Sequence, residues 1–140
     1  KLLIKRNKHV KNKTYLENIA VGNIKSSGFI DNKTDYANVK VLDRPNKKKN
    51  LLTKIKINRI IKIIKKYKIH KIYCMKIDTE GFEHVILKDF FKQNNYTYYP
   101  KVLIIEHNNN AGFKKINKLI TKEGYKILFT TNSNTIYKQL

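Results

Sequence analysis

The strongest constraint in this chain is a change of hydrophobic period near its middle. "TKIKI" at 53–57 alternates, as a strand does. Ile57, Ile60, Ile61 and Ile64 then fall at i, i+3, i+4 and i+7, one face of a helix over roughly 57–67, with lysines on the other face. "HKIYCMKI" at 70–77 returns to strand formers, so a buried strand is expected, with Cys74 in the core.

The switch repeats downstream. Phe82, Val85, Ile86 and Phe90 mark a helical face running to about Gln93. "KVLIIEH" at 101–107 reads as a second apolar strand, and Phe113, Ile116, Leu119 and Ile120 define a helix over 113–122, closed by Gly124. "YKILFTT", the tight turn "NSN" and "TIYKQL" form a hairpin. Upstream, "TYLENIAV" at 14–21 reads as a strand and "SSGFID" as a turn with a short extended piece. Residues 31–50 read as a polar loop holding a short strand at 39–42, and residues 1–9 as the tail of a helix. Strands alternating with helices predict an α/β sheet, parallel in its middle, with an antiparallel strand at or near one edge.

With 140 residues, the chain is long enough for one domain with its own core. No stretch approaches the ~18–20 apolar residues of a membrane span, and no signal peptide follows Lys1. The start at Lys1 rather than Met implies processing or a piece of a longer chain. A single cysteine excludes an internal disulfide and fits a reducing compartment, and the expected location is the cytoplasm.

The net charge of +21 raises the question of a nucleic-acid surface. Lysine, however, occurs 28 times and arginine 3 times, beside 20 isoleucines and 17 asparagines. Residues with A/T-rich codons dominate, while the better phosphate and guanine reader is nearly absent. The tyrosines cluster in "YTYYP" and in the strands instead of interleaving with lysines on one face. No specific nucleic-acid partner is expected. A basic nucleic-acid-binding domain and a non-catalytic α/β scaffold stand as the alternatives to an enzyme.

Against that basic background, three of the ten acidic residues, Asp78, Glu80 and Glu83, fall within "CMKIDTEGFEHVIL". Open α/β sheets bind ligands beyond the carboxyl ends of their strands. Asp78 and Glu106 both end predicted strands, which places them on one rim. Glu80 and Glu83 also suit the first turn of a helix, with Asp78 or Thr79 as its cap, and for Glu83 alone that reading is preferred. His107, beside the rim, is a base or a solvated loop histidine. His84 is expected on the surface.

These residues carry a resemblance. "MKIDTEGFEHVIL" followed by "KVLIIEH" resembles the signature of the FkbM-type methyltransferases. "NIAVGN…SGF" upstream and "EGYKILF…NTIYK" downstream are similar to flanking segments of that family. The resemblance implies a Rossmann-like class I methyltransferase fold, mostly parallel with a C-terminal antiparallel hairpin. It implies S-adenosylmethionine as methyl donor and, as acceptor, a hydroxyl of a small molecule, glycan or lipid. The acceptor oxygen must be held in line with the methyl group and lose its proton. Asp78 is the first choice for the catalytic or substrate-orienting acid. Glu80, Glu106 and His107 follow, and Asp78 and Glu83 are the candidates for substrate contact. Catalysis without a metal is expected, although paired acids could bind a divalent ion.

The family's first strand, its glycine-rich turn and the following helix have no counterpart here, because the five glycines are scattered. Residues 1–140 are therefore expected to form a single partial domain lacking its first strands, with weak cofactor binding of its own.

Overall fold

The computed structural model describes residues 14–31, 41–42, 52–94, 96–107 and 112–140. The helix expected over 1–9 and most of the loop expected over 31–50 lie outside them. In chain order the elements are β1 (Ala20–Val21), β2 (Ser26–Asp31), β3 (Val41–Leu42), β4 (Leu52–Asn58), α1 (Ile60–Lys66) and β5 (Cys74–Ile77). They continue with α2 (Glu83–Asn94), β6 (Val102–Glu106), α3 (Gly112–Lys122), β7 (Tyr125–Thr130) and β8 (Asn134–Gln139).

An α/β chain is what the alternation predicts, but the strands form two sheets. One has the order β1-β4-β2-β3 and the other β5-β6-β8-β7. Both are mixed, which corrects the expectation of a mostly parallel sheet. Among the described residues only β1–β4 and β5–β6 pair in parallel, and the remaining pairs are antiparallel. The reason is local. "SSGFID" forms a full strand of 6 residues that turns back along β4, and β8 inserts between β6 and β7. The terminal hairpin does leave β7 at the edge.

The first helix begins later than its periodicity implies. Ile57 belongs to β4 and is buried there, so its place in the apolar series comes from the strand. A Cβ on Gly22 would come within 2.8 Å of the Ile57 Cγ2, so the close parallel pairing of β1 with β4 requires glycine at that position.

Cross-strand register sorts the second sheet into two faces. Met75 pairs with Leu103, which pairs with Tyr137, and Ile77 pairs with Ile105, which pairs with Thr135. Except for half-buried Met75, these residues are buried, and they join Ile86, Leu87, Phe90, Ile116 and Ile120 of the helices in one core. Cys74, Lys76 and Ile104 occupy the other face. Cys74 is exposed, which corrects its expected core position: Met75 and Ile77 take the buried side, and the alternation of the strand sends Cys74 outward. No described helix is long and apolar enough to cross a membrane.

Candidate active site

The site is built by register. Ile77 pairs with Ile105 in parallel, so Asp78 and Glu106 leave neighbouring strands side by side. Their carboxyl oxygens lie within 4.8 Å of one another, so a hydrogen bond between them can form when one of the two carries a proton. That bond and the Nζ of Lys76, 2.9 Å from Asp78 Oδ2, hold the Asp78 carboxyl below its ordinary range. Glu106 is pushed up to about 7, first by the bond to Asp78, then by burial and by the charges of Asp78 and Glu80. Lys76 carries no motif of its own in the sequence. Its signal is simple: residues two apart on a strand share a face, so Lys76 lies beside Asp78.

Glu80 joins the pair through an unusual turn. Helix α2 starts at Glu83, so Glu80 precedes the helix and does not occupy its first turn. Its φ is +53°, the left-handed region, which costs a non-glycine residue roughly 1–2 kcal/mol. Gly81 follows with φ +103°, with open space where a Cβ would be, so backbone conformation alone calls for glycine there. Oxygens of Asp78, Glu80 and Glu106 lie within 4.8 Å of one another. Three carboxylates at this spacing could hold a divalent cation through oxygen ligands.

Glu83 is arranged differently. It is 5% exposed and its carboxylate turns back into the turn. Its Oε1 accepts from Thr79 N at 2.8 Å and from Thr79 Oγ1 at 3.0 Å, and Gly81 N donates to Oε2 at 3.0 Å. His107 leaves the surface altogether. It is buried, its ring centroid lies 4.1 Å from that of Phe113, and its backbone N–H donates to the Ser133 carbonyl, so it is no solvated loop histidine. His84 is half-buried.

Tyr99 packs on Phe90, Phe91 and Tyr125 at the opposite end of β6. The S-adenosylmethionine implied by the resemblance would need a glycine-rich turn between a strand and a helix. Among the described residues none exists, so no residue here is assigned to it.

The family model described as "Methyltransferase FkbM domain" matches residues 4–127. No curated protein and no solved structure matches the chain.

Proposed function

The chain belongs to the FkbM methyltransferases, and from that premise we propose that it serves O-methylation, with the Asp78–Glu106 pair accepting the proton of the acceptor hydroxyl. One observation carries the reading: two carboxyls end adjacent parallel strands with oxygens within 4.8 Å of each other, an arrangement that pushes Glu106 up to about 7. A base is most effective when its pKa lies near the working pH. With Glu106 pushed up to about 7, the pair is free to take a proton above that pH. Lys76, exposed beside Asp78, keeps the orienting carboxylate charged while its partner changes state. The methyl donor expected of the family is S-adenosylmethionine, supplied as co-substrate. The acceptor is a hydroxyl of a small molecule, glycan or lipid, and the cytoplasm is the proposed location. Catalysis needs no metal in this reading.

The test is methyl transfer from S-adenosylmethionine to a panel of sugar and polyol hydroxyls, followed from pH 5 to 9. A single ionisation near 7 should govern kcat/KM. Asp78→Asn and Glu106→Gln should each lower kcat by about 10²–10⁴-fold. Full activity in both variants would remove the pair from the reaction.

A further inference from the structure

We infer that Glu83 is a positioning residue, one that fixes the left-handed turn at Glu80–Gly81 and thereby holds the Glu80 carboxylate against Asp78 and Glu106. This rests on the Asp78–Glu106 site but not on the reaction assigned to it.

The position of the Glu83 side chain is unusual for a helix-opening acid. In a capping box the carboxylate of the third helical residue reaches back to the residue at the helix start. Glu83 is itself the first helical residue and reaches further, to the N–H of Thr79 four residues back and of Gly81 two residues back. Those groups flank Glu80. With Thr79 Oγ1 as a further donor, both carboxylate oxygens are engaged within the turn. At 5% exposure, Glu83 has little surface left to offer a substrate. This replaces the substrate contact expected for it.

The turn needs such a clamp. A left-handed non-glycine residue persists where its surroundings over-determine it. Lys68 and Tyr96 share that conformation away from the rim, so it is the hydrogen bonds of Glu83 that set this turn apart. Thr79 N and Gly81 N are fixed on either side of Glu80, which leaves the intervening peptide units little freedom. The outcome of that geometry is Glu80 with an oxygen within 4.8 Å of both rim carboxyls. Its charge is then one of the influences that raise Glu106. Glu83 thus acts on the rim through Glu80, its own hydrogen bonds going to Thr79 and Gly81.

Carboxyl-resolved carbon NMR on the chain provides the test and needs no substrate. The Glu106 midpoint is followed in the wild type, E80Q, E83A, E83Q and the E80Q/E83A double variant. Backbone couplings at residue 80 are read in parallel. The expected result is that E83A moves Glu80 out of the left-handed region and lowers the Glu106 midpoint as far as E80Q does. The double variant should go no lower than E80Q alone, because both changes remove the same influence. E83Q keeps one acceptor oxygen, so it should fold and show a smaller shift in the same direction. An unchanged Glu106 midpoint in E83Q and E83A, with only a lower unfolding temperature, would overturn the proposal and leave Glu83 a fold staple. So would an additive double variant. Unchanged methyl transfer in these variants, with the midpoints shifted as expected, would count against the proposed reaction alone.

Discussion

The two ends of strand β6 use polar groups in opposite ways. At its start, Tyr99 and Tyr125 bury hydroxyls that are each answered once. Tyr99 donates to Glu123 at 2.6 Å and Tyr125 donates to the Pro100 carbonyl at 2.8 Å. Burial raises the pKa of both phenols, so they stay neutral and serve packing. At its finish, Glu106 faces Asp78 and Glu80, carboxyls that would repel one another if all were charged. A left-handed glutamate adds strain at the same place. Strain does not distinguish the two ends, because Tyr96 beside Tyr99 is left-handed too, at φ +63°. A fold that gathers like charges at one rim, and satisfied aromatics at the other, separates the chemistry from the support.

Disturbing the support should have the largest effect. Leu103 is fully buried in β6, and Leu103→Ala should cost about 2–5 kcal/mol in chemical denaturation, affecting both ends together. Tyr125→Phe is narrower. It leaves the Pro100 carbonyl without its partner and should cost about 1–3 kcal/mol while the Glu106 titration stays where it is. A shifted Glu106 midpoint in that variant would show that the two ends are coupled. Asp78→Asn should do the reverse: unfolding changes by roughly 0.5 kcal/mol or less, as for exposed ion pairs, while the rim titration changes.

The ends should also separate by pH. Glu106 is raised from 4.5 to about 7, so the folded state holds its proton where the unfolded chain has released it. Its contribution to stability is complete below pH 4.5 and is lost as pH rises toward about 7. Asp78 is lowered from 3.8, so its contribution is present above that value and lost as pH falls through its depressed pKa. The rim's contribution is therefore greatest between pH 3.8 and 4.5, and urea titrations across pH should show it decline on both sides. In the Asp78→Asn variant that maximum should flatten. The smallest effect belongs to Cys74→Ser on the exposed face of β5, within about 0.5 kcal/mol, with the native thiol open to modification in the folded chain.

These contrasts explain what the sequence made legible. The apolar periods of α3, β6 and β8 are each dictated by one buried face, and the structure keeps them within a few residues. In α2, by contrast, Ile86 and Phe90 are buried but Phe82 and Val85 stand exposed, and β7 is exposed beyond Tyr125. Asp78 and Glu106 are legible as one rim because each ends an apolar strand. What escaped depends on pairing, which no local pattern carries. Ile57 has the spacing of a helical face but is buried as part of β4. Cys74 sits in an apolar run, yet the register with β6 turns it outward. "YTYYP" gives no sign of which end of the sheet it covers. The hydrogen bonds of Glu83 depend on the left-handed turn, whose only trace in the sequence is Gly81.

One measurement tests the shared proton most directly: the carboxyl titration of Glu106 in the wild type and in Asp78→Asn. The wild-type midpoint should lie at about 7 and fall toward 4.5 once the Asp78 charge is gone. A midpoint near 4.5 in both proteins would mean that the two carboxyls do not share a proton, and would contradict the site proposed at this rim.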